Sequence, residues 1–169
     1  DVVNLEISVE AYLQEVIIPL RLSAVTAAGW PVVLSLWYLY EEGALYCATP
    51  RRARVVEYLR REPRCGFEVA ADLPPYCGVR GRAVATIEEE RGLEILQRLL
   101  IRYLGSARNP LARALLARPG PEVAIRLEPR TSHSWDFTKR MADSPAQPVT
   151  KIPRLAGDLD GTYPSQFTI

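Results

Sequence analysis

Histidine and cysteine are scarce in this 169-residue chain, which has one His and three Cys. The lone imidazole, His133, sits in the polar run Thr131-Ser132-His133-Ser134 with no second partner in view, so a Ser-His arrangement for acyl transfer has no support. Cys47, Cys65 and Cys77 are odd in number and lack C-x-x-C spacing, which argues against both a disulfide framework and a zinc site, and no metal site is expected. They read as small reduced core residues. Charge of one sign is also missing in excess: 21 basic and 20 acidic residues leave a net charge of +1, too little to attract nucleic acid or a membrane surface. Any basic site is therefore local. The longest apolar run, residues 30–40, is too short for a membrane helix and is broken by Ser35, and no basic-then-apolar leader opens the chain. The expectation is a cytoplasmic protein with neither a membrane nor a nucleic acid as partner.

What is present is an ordinary globular composition, 48% hydrophobic and 24% charged, at a length that suits one domain with a real core. Val9, Tyr12, Leu13, Val16 and Ile17 recur at helical spacing after Ser8, and Pro19 ends the helix. Residues 20–27, 31–40 and 44–48 then read as three antiparallel strands in a meander, joined by turns at Ala28-Gly29 and Glu41-Glu42-Gly43. Residues 65–71 and 77–87 form two more strands around the proline-rich turn 72–76. A helix is expected at 88–104, a short one at 109–117, and a sixth strand at 122–128 that continues through 132–137 after a bend at Pro129. Six antiparallel strands with few helices point to a closed β-barrel with peripheral helices, because closure removes exposed edges. Periodicity fades near Ala142, and Pro145, Pro148, Pro153 and Pro164 follow. Residues 1–141 are thus expected to form the domain and 142–169 an extended tail.

The most telling stretch is Thr49-Pro50-Arg51-Arg52-Ala53-Arg54. Thr49 has the side chain of an N-cap, Pro50 suits the first helical position, and Val55, Val56 and Leu59 supply the apolar stripe. A helix N-terminus carries about half a positive charge and favours acids in its first turn. Here three arginines crowd it, with no acid before Glu57. Thr86-Ile87-Glu88-Glu89-Glu90 offers the contrast, an acidic helix start with a capping box from Thr86 to Glu89. Two readings of the arginines remain open: an external anion such as phosphate held on the helix end, or a solvated basic face paired with distant carboxylates.

The order of five segments, Arg21-Leu22-Ser23-Ala24-Val25-Thr26, Gly29-Trp30-Pro31-Val32-Val33, Leu45-Tyr46-Cys47-Ala48-Thr49, the helix with Arg54, and Gly78-Val79-Arg80-Gly81-Arg82-Ala83, resembles the pyridoxamine 5'-phosphate oxidase-like FMN-binding split barrels. The closing Ser134-Trp135-Asp136-Phe137 is similar to a sixth-strand ending in that family. The resemblance spans residues 12–140 and implies a six-stranded split barrel that binds FMN in grooves between the subunits of a homodimer. By the same resemblance Leu34, Ser35, Leu36 and Trp37 run beside the flavin ring, while Thr49, Arg51 and Arg54 hold its phosphate. Arg54 stands where the family most often has Lys, a change that keeps the charge and adds a bidentate fork.

Arg80 and Arg82 share one face of a strand, so either Glu68 pairs with them across the sheet or Arg82 faces the cofactor and offsets charge on the reduced ring. Trp37 has two roles open to it, stacking near the flavin and core packing. Trp135 either covers the cofactor or plugs the barrel end. The tail lacks the Arg and His pattern by which the vitamin B6 enzymes of the family hold their substrate, so that reaction is not expected. The implied activity is that of a flavin-dependent oxidoreductase of unspecified substrate. The alternatives are a deazaflavin-dependent reductase and a non-catalytic flavin- or haem-binding module.

Overall fold

The computed structural model describes residues 8–142, so all but the first residue of the expected tail lies outside the described residues. The elements run α1 (Val9–Glu15), β1 (Leu20–Val25), β2 (Pro31–Leu36), β3 (Leu39–Glu41), β4 (Ala44–Pro50), α2 (Arg54–Arg61), β5 (Arg64–Ala70), β6 (Cys77–Glu88), α3 (Gly92–Leu104), α4 (Pro110–Leu116), β7 (Glu122–Asp136) and α5 (Thr138–Met141). Seven antiparallel strands form one sheet in the order β2-β1-β5-β6-β7-β4-β3. The class is the expected one, mostly β with peripheral helices, but the strand count is seven instead of six.

The extra strand comes from a break in the run 31–40. Leu36 is the last residue of β2 to pair with β1, opposite Leu20, and Leu39 is the first of β3 to pair with β4, opposite Tyr46. Between them Tyr38 leaves the ladder: its backbone N–H donates to the Tyr103 hydroxyl at 3.3 Å and its own hydroxyl donates to the Leu13 carbonyl at 2.9 Å. Trp37 stacks on the Tyr103 ring, with centroids 5.0 Å apart and planes 10° from parallel. The expected meander is therefore two hairpins at opposite ends of the sheet. Because only Trp37 and Tyr38 join the two edge strands, the sheet has to curl until its edges meet, which makes it a barrel with a split.

Two expected helix starts also move, and in both a strand ladder prevails over a local cap. β4 runs on to Pro50, opposite Glu122, and the Arg51 N–H donates to the Pro121 carbonyl at 2.9 Å. Arg51 and Arg52 form a turn, closed by the Ala53 N–H on the Pro50 carbonyl, and α2 begins at Arg54 with Ala53 as its N-cap. Thr49 caps nothing. Likewise Thr86 pairs with Arg126 and Glu88 with Ala124, so β6 takes in Thr86 to Glu88 of the expected capping box and α3 starts at Gly92. A side chain on Gly92 would collide with the backbone of Glu122, so glycine lets the helix end rest directly on β7.

The stretch 122–137 is a single strand, with Pro129 opposite Ala83, Thr131 opposite Arg82, and Arg130 left over as a bulge.

Two apolar clusters result. Leu20, Leu22, Leu36, Leu45, Phe67, Val69, Val79, Ile125 and Leu127 fill the barrel. Outside it, Ile95, Leu96, Leu99 and Leu100 of α3 and Ala112 of α4 pack on Ala44, Tyr46, Ala48 and Ala124. β4 is consequently buried along its whole length. Each fully buried Leu or Ile contributes about 1.5–3 kcal/mol relative to exposure.

Candidate functional site

The split is built by a failure of register. Continued past Leu39, the pairing of β3 with β4 would set Leu36 opposite Thr49; β2 pairs with β1 instead, so the strands part there. Cys47, Ala48, Thr49 and Pro50 pair only with β7, and β2 ends the sheet on the other side. Leu34–Leu36 and Thr49–Pro50 thus border the split. Leu36 is buried in the barrel and Leu34 packs against the same cluster, so these two residues offer a ligand their backbone groups, whereas Ser35 is exposed on the outer face. Trp37 lies apart from them, partly buried against α3 and stacked on Tyr103.

Thr49 is 0% exposed, and its Oγ1 has no hydrogen-bond partner among the described residues. Buried hydroxyls are rarely left so, and an orphan of this kind marks a place for a missing donor or acceptor.

Just beyond it, Arg51, Arg52 and Arg60 line a hollow of about 430 Å³ with Pro50, Pro119, Gly120 and Pro121. One carboxylate, Glu89, serves two of these guanidiniums: Arg51 Nε lies 3.1 Å from it, and Arg60 pairs with its other oxygen. So Arg51 does bend to a distant carboxylate. Arg52 and Arg54 are exposed and make no ion pair or hydrogen bond with another described residue. The surplus of positive charge at this end is real, and it favours an anion. Glu122, beside the hollow, is bound to Arg118 at 3.0 Å, yet burial pushes its carboxyl above the usual range.

Arg60 and the 119–121 turn had no signal in the sequence, because Arg60 reaches the hollow only when α2 folds back and the turn arrives from a distant part of the chain.

Arg82 stands elsewhere. Thr49 pairs with Val123 and Arg82 with Thr131, eight residues further along β7, a separation of roughly 26 Å in an extended strand. Arg82 belongs to the outer wall made by β2, β1, β5, β6 and β7. The registers set Ser35, Arg21, Glu68, Arg80 and His133 in one row across this wall, and Val33, Ser23, Gly66, Arg82 and Thr131 in the next. An open cleft of about 450 Å³ runs along these rows.

Glu68 is opposite Arg80 but forms no ion pair among the described residues; Arg80 lies over the Trp135 ring instead, 5.4 Å from its centroid. Trp135 in turn packs where Gly78 has no side chain. Arg82 Nε is 3.4 Å from the Thr131 hydroxyl, and Arg21 binds Asp72 at 2.7 Å.

No family model matches the chain, and no curated protein matches it in sequence. Solved structures do match in fold. A conserved hypothetical protein of Mycobacterium tuberculosis superposes with a TM-score of 0.61 at 24% identity, over 78% of this chain and 84% of that one. An F420 reductase gives a TM-score of 0.61 at 20% identity, over 72% and 93%. A candidate pyridoxamine 5'-phosphate oxidase of Listeria innocua gives 0.52 at 17%, over 69% and 86%. At these identities the likeness is one of fold, the pyridoxamine 5'-phosphate oxidase-like split barrel. No helix among the described residues is long and apolar enough to cross a membrane.

Proposed function

We propose that the chain binds FMN at the split and acts as a flavin-dependent oxidoreductase, as a homodimer whose second subunit completes the cofactor groove. The observation that carries this reading is the pairing of a buried, unpartnered Thr49 hydroxyl with guanidiniums that one carboxylate does not neutralise. In this reading Arg51 and Arg54 hold the phosphate, and Thr49 Oγ1 supplies it with a hydrogen bond in a site with little water. Ser35 and the backbone of Leu34–Trp37 meet the polar edge of the ring, and Trp37 contributes through its main chain because its indole is occupied by Tyr103. The flavin, when bound, supplies the hydride or electron transfer, and the protein supplies placement and electrostatics. Arg82 is too far along β7 from Thr49 to join this phosphate site within one chain.

The test is FMN uptake by the full chain, followed by flavin fluorescence. FMN is expected to bind, and Arg54→Ala to weaken it about 30-fold or more, the effect of leaving a phosphate charge unpaired. An affinity unchanged by Arg54→Ala removes that residue from the site. Failure to take up FMN at micromolar concentration overturns the reading, and tighter binding of a deazaflavin, with its longer phosphodiester tail, reassigns the cofactor. Reduction of the bound flavin by NADH or NADPH is the separate test of oxidoreductase activity.

A further inference from the structure

The split stays open only while two residues are kept off β4. β2 pairs with β1 on one side and its other edge is free. Continued past Leu39, the β3–β4 register would set Tyr38 opposite Cys47, Trp37 opposite Ala48 and Leu36 opposite Thr49, which would zip that free edge onto β4 and close the barrel. Unpaired strand edges favour such pairing, so something has to hold Trp37 and Tyr38 back.

The holding groups come from the end of α3. Tyr103 Oη accepts the Tyr38 N–H at 3.3 Å and donates to the Ile18 carbonyl at 2.8 Å, while its ring carries the Trp37 indole. Next to it, Arg102 Nη2 donates to the Val16 carbonyl at 2.8 Å and lies 3.5 Å from that of Leu13, at the C-terminal end of α1. α1 has no base in its own last turn, so Arg102 supplies the positive charge that a helix C-terminus favours. The Tyr38 hydroxyl donates to the same Leu13 carbonyl, and the Arg102 guanidinium lies 5.6 Å from the Tyr38 ring centroid and 6.0 Å from that of Tyr103. Burial raises both phenols above their ordinary value, so both hydroxyls stay protonated and able to donate.

This knot contains no acid. Arg102 forms no ion pair with another described residue, and its Nε is buried without a partner among them. Docking α3 does not require such an arrangement, because Ile95, Leu96, Leu99 and Leu100 already fix the helix on the sheet. The polar groups of Arg102 and Tyr103 are instead directed at α1 and at the crossover between β2 and β3.

We infer that Tyr103, backed by Arg102, is the positioning residue of the split: it pins the Trp37–Tyr38 crossover to α1 and α3 and so holds the Leu34–Trp37 edge off β4 for the flavin ring, a role that rests on the cofactor reading proposed above. Both residues act through the crossover and not by touching the ring.

The test compares Tyr103→Phe, which deletes one oxygen and keeps the stack on Trp37, with Ile95→Ala, which loosens the same helix roughly two turns away. In the flavin-free full chain, Tyr103→Phe is expected to speed hydrogen exchange of the Tyr38 amide about threefold to tenfold, the loss of one hydrogen bond, and Ile95→Ala to leave that amide as in wild type. FMN and riboflavin are then titrated. Tyr103→Phe is expected to weaken both by one factor, about threefold to tenfold, and to shift the visible absorption of the bound flavin; Arg54→Ala is expected to weaken FMN alone, because riboflavin has no phosphate. Arg102→Met is expected to speed exchange in α1 and, to a smaller extent, at Tyr38, which serves if Tyr103→Phe folds poorly. Tyr38 exchange indifferent to Tyr103→Phe and Arg102→Met overturns the inference. So do flavin affinities and spectra that Ile95→Ala changes as much as Tyr103→Phe does, since the role is then only helix packing. A wild-type chain that takes up neither flavin, with Tyr38 exchange still dependent on Tyr103, overturns the cofactor reading while the strut itself stands.

Discussion

The barrel wall has two halves that differ in what lies on them. On one, β4 and the start of β7 are apolar on both faces, because α3 and α4 cover the outside as the barrel core fills the inside. On the other, β1, β5 and the middle of β6 alternate, and the outward rows are arginine, serine, glycine and glutamate. The first half holds the molecule together, with side chains packed on both of its faces. The second has a sheet already supported from within, so its outward positions are at liberty to carry chemistry. The split lies where the buried strand β4 runs past the edge of β2, so a buried threonine is followed two residues later by exposed arginines.

The contrast breaks most visibly under truncation. Leu99→Ala removes a side chain that is 1% exposed between α3 and the sheet, and is expected to cost about 2–5 kcal/mol in urea unfolding. Val33→Ala, on the bare half, is expected to stay within about 0.5 kcal/mol. Equal losses would mean that the two halves are not different in kind.

Glycine gives a second comparison. Gly92→Ala pushes a methyl into the backbone of Glu122 and is expected to lose about 1–3 kcal/mol, whereas Gly66→Ala has space and is expected to be neutral or slightly stabilising. A thermal-unfolding comparison of the two variants decides this, and a Gly92→Ala protein as stable as wild type would show that α3 does not dock as described.

The smallest effect is electrostatic. Hydrogen bonds from Arg98, and then Arg91, hold the Glu41 carboxyl below its ordinary value of 4.5 and tie β3 to α3. A carboxylate whose folded pKa is depressed contributes stability above its unfolded pKa, and that contribution fades as the pH falls through the folded value. Glu41→Gln is therefore expected to cost less than about 1 kcal/mol near neutrality, because the cluster is partly exposed, with the gap from wild type closing on acidification below the ordinary value. A gap that widens in acid would refute the assignment.

Much of this was legible in the chain. Strands were expected at 20–27, 65–71 and 77–87, within a few residues of the β1, β5 and β6 that form, and the order of short motifs announced the split barrel. Arg51 and Arg54 stood out for the shortage of acids around them, and Arg80 and Arg82 do share a face. The errors came where a local signal competed with a distant partner. Thr49-Pro50 and Thr86 to Glu89 each spell a helix start, yet Thr49-Pro50 and Thr86 to Glu88 are held in ladders by β7, whose pairing supplies many backbone hydrogen bonds against the one that a cap offers. Between Pro31 and Tyr40 the run contains no further Pro and no Gly; it breaks at Tyr38 because Leu13 and Tyr103 capture its polar groups, and neither residue is near it in sequence.

By itself the sequence determined which segments extend, which faces are apolar, and that positive charge gathers after Thr49, because periodicity and local charge are properties of neighbours along the chain. Only the tertiary structure decided that Glu89 neutralises part of that charge, that Thr49 is buried without a partner, and that Arg82 belongs to another wall. Those facts depend on register and barrel closure, which bring together residues from opposite ends of the sheet.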